Sequence, residues 1–202
     1  MTNNNKIVII GGGLAGCEAA YQISKFDINV DLYEMRPKVK TEAHQTKYLA
    51  ELVCSNSFRS DDKEYNAVGV LHEELRIADS LIMKIADNNK VPAGSALAVD
   101  RDDFAKEVNK TISSISNINI INQEVKDLNE FNDQIVIIST GPLTSKTLTE
   151  SIKIKTSENS LAFYDAIAPI VYTETINMSV AWKQSRYDKG NGDDYINCPL
   201  SK

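Results

Sequence analysis

The feature that most limits what this chain can fold into is a glycine spacing. Gly11, Gly13 and Gly16 follow directly on the apolar run Lys6–Ile10, and Glu34 closes the next apolar stretch, INVDLYE. A continuous apolar run fits a parallel strand covered on both faces. The G-x-G-x-x-G spacing after such a strand has a mechanical reading: Gly11 permits the tight turn, Gly13 lets a pyrophosphate approach the backbone, and Gly16 lets the following helix pack close to the strand. The helix then presents unpaired N–H groups and the positive end of its dipole to the phosphates. Ala15, Ala19, Tyr21 and Ile23 carry that helix to about Phe26. Glu34 ends the second strand 18 residues after Gly16, where a carboxylate can accept hydrogen bonds from an adenosine ribose. Strand, turn, helix, strand and terminal acid in register predict a doubly wound α/β, Rossmann-like fold that binds a dinucleotide. The whole loop, Gly12, Leu14 and Ala15 included, is the expected cofactor-binding stretch.

Further along, Arg36 to about Tyr65 reads as a long polar loop interrupted by AELVCSNSFRS. Ala67, Leu71, Leu75, Ala78, Ile82 and Ile85 mark one face of a single helix running to about Asn88, which VPAG ends. SALAVD is a short strand, and Asp100 caps a helix with the stripe Phe104, Val108, Ile112 and Ile115. Strands are expected at 118–121 and 123–128, then a buried strand, QIVIISTGP. Its terminal Thr140-Gly141 is either a second approach to the dinucleotide or a plain strand-end turn. SIKIKTSENS reads as a polar link into a new region, LAFYDAIAPIVYTETI, broken by Pro169. These expectations divide the chain into residues 1–150, an incomplete cofactor-binding domain, and 151–202, the start of a second α/β domain; the polar end suggests that the chain is incomplete.

At 202 residues, with 42% hydrophobic and 25% charged content, the chain can bury a sizeable core. Its apolar runs are strand-sized, far short of a bilayer span, and MTNNNK lacks the apolar stretch of a signal peptide, so a soluble cytoplasmic protein with no membrane partner is expected. Cys17, Cys54 and Cys198 are odd in number and widely spaced, which suggests neither a disulfide framework nor a metal site. Cys17, in the first helical turn, reads as a packing residue. The net charge of -6 argues against general polyanion binding while leaving a local RNA-binding patch open.

Several stretches together, IGGGLAGCEAA, LYEMRP, AELVCSNSFRS, NAVGVLHEELR, VPAGSALAVDRDDF, STGPLTS, FYDAIAPIV and the SRYDKG and YINCP pair, resemble the folate- and flavin-dependent bacterial tRNA uracil-5-methyltransferases. The resemblance runs from Ile7 to Pro199 and corresponds to the N-terminal half of longer members. Gln45 departs from the pattern, standing where many relatives have a second histidine. The resemblance implies that the dinucleotide is FAD, reduced by NAD(P)H. It also implies that the one-carbon unit of 5,10-methylenetetrahydrofolate passes to C5 of a T-loop uracil in tRNA.

That chemistry calls for a thiol. C5 of uracil is a poor nucleophile until a thiolate adds at C6, and a proton must later leave C5. Cys54 is the candidate by resemblance; by its context alone, after Leu52 and Val53, it reads as packing. Its role as nucleophile, acid/base or flavin-poising group stays open. Ser55, Asn56 and Ser57 offer donors that could stabilise its thiolate. Arg59 could hold a phosphate or folate tail, and Lys183, Arg186 and Lys189 with Tyr187 combine cations with a stacking ring suited to RNA; each also reads as a solvated charge. His44 is a weak active-site candidate, His72 reads as lying on an exposed helix face, and Cys198 as structural. Two alternatives compete: a generic FAD- or NAD-dependent oxidoreductase, which explains the glycines and Glu34 only, and a non-catalytic FAD-binding fragment.

Overall fold

The computed structural model describes residues 6–158, 171–185 and 192–199. The chain groups into two compact units, Met1–Val53 with Ala105–Ala166, and Cys54–Phe104 with Ile167–Lys202.

The first unit begins as its glycine spacing predicts. β1 (Lys6–Ile10) leads through the turn into α1 (Leu14–Ser24), and β2 (Asn29–Glu34) returns parallel to β1, with Lys6 opposite Asn29 and Ile10 opposite Tyr33. β6 (Ile118–Asn122) adds in parallel outside β2, and β7 (Ile135–Ile138) adds in parallel on the other side of β1. The order β6-β2-β1-β7 makes β1 the strand at which the winding reverses, the place where doubly wound sheets open a crevice at their carboxyl ends. Side chains alternate across a strand. Val8 and Ile10 therefore share one face, packed with Val125, Leu128, Phe131 and Leu148, while Ile9 points the other way and is equally sealed. The unbroken apolar run follows from having both faces covered.

The second unit holds an antiparallel sheet in the order β3-β5-β4, built from β3 (Ser57–Ser60), β4 (Lys90–Val91) and β5 (Ala96–Val99), with α2 (Ala67–Ile77) and α3 (Leu81–Asn88). α4 (Arg101–Ser114) spans the division between the units; as expected, the Asp100 carboxylate accepts from the amides of Asp102 and Asp103 at 3.1 and 2.9 Å. Phe104, Val108 and Ile112 form its buried stripe. A short ladder joins β8 (Trp182–Lys183) to β9 (Ile196–Asn197), leaving Trp182 and Tyr195 partly exposed.

Five expectations are corrected. The single helix over 67–88 is two helices, because Asp79 takes a left-handed conformation (φ 56°) and the Ser80 hydroxyl accepts from the Met83 amide, starting a new helix. With the helix broken, Leu71 and Leu75 lie exposed while Gly69 and His72 face inward. His72 is 5% exposed, not solvated: its Nδ1 lies 3.0 Å from Asp61 Oδ1, and Arg76 also binds Asp61. Residues 123–127 form no strand; Asp127 caps a short 3-10 turn, Leu128–Phe131, that turns its apolar groups into the core. Among the described residues β7 is the outermost strand of its sheet, and Ile135 and Ile138 are exposed rather than buried. The supposed polar link is in fact α5 (Lys146–Thr156), whose Ser145 cap and Leu148/Ile152 pair anchor it. α5 runs through residue 150. The segment around Pro169 lies outside the described residues.

Candidate functional site

At the carboxyl ends of the parallel strands the first unit opens a cavity of about 160 Å³. That is smaller than the roughly 300–1,000 Å³ of sites that enclose a whole ligand, and matches a part-site gripping one end of one. It is lined by Ile10 to Gly13 of the glycine turn, by Tyr33 to Arg36 after the second strand, by Gln123–Val125, Ser139, Thr140, Pro142–Ser145 and Leu148, and by His44 and Val53.

Each glycine of the turn has a distinct job. Gly11, at φ 107°, packs so closely on Ser139 and Thr140 that a Cβ would lie 2.8 Å from the Ser139 backbone. Gly16 lets α1 approach β1: a Cβ there would lie 1.9 Å from the Gly11 carbonyl oxygen. Beside Gly13 there is open space, with nothing within 4 Å of an added Cβ. A phosphate could approach the backbone there, next to the first-turn amides of Leu14, Ala15 and Gly16, which have no acceptor within the helix. Leu14, Ala15, Gly16 and Gly141 do not themselves line the cavity, whereas Thr140 does.

Glu34 is 6% exposed. Its Oε2 accepts the Gly12 amide at 3.0 Å and its Oε1 accepts the Arg36 amide and Nε at 3.0 and 2.9 Å. Burial acts to raise its pKa, but the hydrogen bonds and charge of Arg36 and the Gly12 amide outweigh burial and hold it below the usual glutamate value. The carboxylate is therefore an ionised acceptor. His44 shares a 2.6 Å hydrogen bond with the Thr41 hydroxyl; burial first, then the charge of Arg36, lowers its pKa. Cys17 is fully buried, with its Sγ donating to the Gly12 carbonyl at 3.4 Å, and burial followed by the charge of Glu34 pushes its thiol up to about 12. It is a packing residue, as its position in the first turn suggests.

The remaining expected residues fall in the second unit. Cys54 is exposed and opens the second unit, directly after Val53. Its polar neighbours serve the loop's own turns: Ser55 Oγ accepts the Ser57 amide, Asn56 Nδ2 donates to the Val99 carbonyl, and Ser57 Oγ accepts the Arg59 amide. Arg59 is exposed in the second unit, at φ 72°, along a groove it shares with Tyr65 and Tyr195. Lys183 is exposed in β8, while Arg186, Tyr187 and Lys189 lie outside the described residues. Sequence reasoning misses Arg36, though its MRP context two residues past Glu34 is the kind of signal that marks it. No group of His, Cys, Asp and Glu suited to a metal occurs among the described residues, and none of their helices is long and apolar enough to cross a membrane.

Fold and cavity define a doubly wound α/β protein of the Rossmann-like class, its crevice opening at the reversal of strand order. The family described as glucose inhibited division protein A matches residues 6–202, and the chain belongs to that family. Proteins named methylenetetrahydrofolate--tRNA-(uracil-5-)-methyltransferase TrmFO are similar throughout: that of Bartonella henselae is 59% identical over 97% of this chain and 42% of its own length, and that of Paramagnetospirillum magneticum 58% over 96% and 43%. The protein of that name from Rhizobium meliloti is 54% identical over 100% of this chain and 43% of its own length. The chain thus spans less than half the length of these relatives. The crystal structure of Aquifex aeolicus GidA shares the fold, with a TM-score of 0.54 at 17% identity over 68% of this chain and 25% of that one.

Proposed function

We propose that this chain is the cofactor-binding part of a folate-dependent tRNA uracil-5-methyltransferase. The observation that carries the reading is identity of 54–59% to proteins bearing that name, over nearly all of this chain. The residues of the crevice fit FAD: open space beside Gly13 for the pyrophosphate, first-turn amides of α1 to face it, and an ionised Glu34 to accept from the adenosine ribose. When bound, FAD supplies the reducing electrons that it receives from NAD(P)H. The folate substrate is 5,10-methylenetetrahydrofolate and the acceptor is a T-loop uridine of tRNA, in a cytoplasmic setting.

In this reading the protein's own groups divide the labour. The glycine turn and Glu34 anchor and orient the cofactor's nucleotide end, and Thr140 borders the same crevice. Cys54 is the thiol that acts on the uracil ring, whose C5 needs activation at C6 and must afterwards lose a proton. Arg59, Lys183, Arg186 and Tyr187 are contacts for the polyanionic substrate.

The test uses protein expressed from the natural reading frame, supplied with labelled 5,10-methylenetetrahydrofolate, FAD, NADPH and unmodified tRNA. The expected result is yellow protein and label in 5-methyluridine. Yellow protein that reduces a small-molecule acceptor and leaves the tRNA unlabelled would replace this reading with a general oxidoreductase.

A further inference from the structure

Arg36 is the largest fully sealed side chain among the described residues, 2% exposed, although it is a cation. A buried guanidinium is tolerated only when its donors are matched by acceptors. Here they are split between two carboxylates: Nε donates to Glu34 Oε1 at 2.9 Å and Nη1 donates to Glu51 Oε2 at 3.1 Å. The Arg36 carbonyl is itself fixed, accepting from Asn122 Nδ2 at 2.6 Å. Glu51 is itself anchored, its Oε1 by the Gln45 amide at 2.7 Å and its Oε2 by the Thr46 amide and hydroxyl at 3.0 and 2.8 Å. The loop 45–51 thus grips one end of the arginine, and Glu34 the other.

The split matters for Glu34. An arginine paired with a carboxylate frequently turns its fork to bind both oxygens at once. If Arg36 did so, it would occupy Oε2 as well as Oε1 and compete with any ligand. With Nη1 held by Glu51, Arg36 meets Glu34 through Nε at Oε1, and among the described residues Oε2 has the Gly12 amide as its one donor. A carboxylate has about four acceptor positions. Among the described residues three are filled, two on Oε1 by the Arg36 amide and Nε and one on Oε2 by Gly12, so the position remaining is on the oxygen next to the glycine turn.

We infer that Arg36 and Glu51 form a positioning pair that keeps one lone pair of Glu34 Oε2 available for a ribose hydroxyl of the nucleotide, with Glu51 drawing the guanidinium fork away from it. Both act through Glu34. The inference rests on reading the crevice as a dinucleotide site.

The experiment measures, by calorimetry on protein expressed from the natural reading frame and freed of flavin, the affinities for ADP and for 2′,3′-dideoxy-ADP, which lacks the hydroxyls. The wild type should prefer ADP by about tenfold or more, the worth of one hydrogen bond to a charged group. In Glu51→Gln the preference should fall towards one, through loss of ADP affinity, while the affinity for the dideoxy nucleotide stays within about twofold. Arg36→Lys, which keeps the charge but not the fork, should behave the same way. Thermal midpoints are read alongside. Equal weakening of both nucleotides, or an unchanged preference in a folded variant, would overturn the positioning role, as would failure of both variants to fold. A wild type that binds ADP without preferring its hydroxyls overturns the ribose contact, and one that binds neither nucleotide overturns the dinucleotide reading itself.

Discussion

The Gly12 amide and the Glu34 carboxylate, 22 positions apart in the chain, are joined by a 3.0 Å hydrogen bond across the carboxyl ends of β1 and β2. The glycine turn and the acid that follows the second strand are thereby one object, and a change to either should be felt by the other.

The glycines separate folding from binding. Gly16→Ala would drive a methyl group into the Gly11 carbonyl, and backbone at 1.9 Å cannot yield cheaply, so a loss of at least ~3 kcal/mol is expected, the upper end of overpacking. Gly13→Ala meets nothing, and Gly13 at φ -77° is a conformation alanine accepts. It should shift the thermal midpoint by less than ~4 °C, below the effect of about 1 kcal/mol, yet abolish flavin retention. Melting curves beside the visible spectrum of the purified variants check both.

Acid should loosen the first unit through Glu34. Its native pKa lies below the ordinary value of 4.5, so its contribution to stability is complete above that value and is lost as the pH falls through the native pKa. Urea midpoints between about pH 7 and pH 3 should fall with acidification, and less steeply in Glu34→Gln. Some slope should persist in the variant, because Asp61 in the second unit is lowered too: burial raises its pKa, but the hydrogen bonds of His72 and Arg76 overcome that.

The three cysteines should label in two classes. Cys54 and Cys198 are exposed, whereas Cys17 is buried with its thiol near 12. At mildly alkaline pH a disulfide reagent should modify two thiols in native protein and the third only on unfolding. Fast labelling of Cys17 in the folded state would contradict its burial.

Cys54→Ala tests the thiol chemistry directly. As an exposed loop substitution it should change stability by no more than ~0.5 kcal/mol. Flavin content should match the wild type, while single-turnover methyl transfer to tRNA should drop by orders of magnitude. Retained transfer in a stable variant would make Cys54 an ordinary surface residue.

What could be read from the sequence was what is local. The β1-turn-α1-β2 unit carries its whole specification in contiguous spacing, and Asp100 announces α4 within three residues. α5 escapes a reading of the sequence although Ser145 and the Leu148/Ile152 pair signal it, because its remaining residues are mostly polar and only packing against Phe131 and Leu128 makes the pair a core element. The burial of His72 depends on Asp61, 11 residues upstream, and that of Arg36 on Glu51, 15 residues downstream. Neither pairing leaves a periodic trace. The exposure of Ile135 and Ile138 reflects their place on the outermost strand of the described sheet, which only topology assigns.

The register of β6 on β2 has a consequence for how the chain is made. Val30 to Glu34 pair with Ile118 to Asn122, so β2 waits for a partner that begins about 84 residues after it ends. At the ~5–20 residues per second of translation that is a delay of roughly 4–17 s, during which β1, α1 and β2 can dock by short-range contacts while the outer rim of β2 stays open. Completion then requires closing a long loop, a slow step for a chain of this size. The nascent protein passes through a half-sheet with an unpaired hydrogen-bonding edge, the kind of surface that chaperones cover during synthesis.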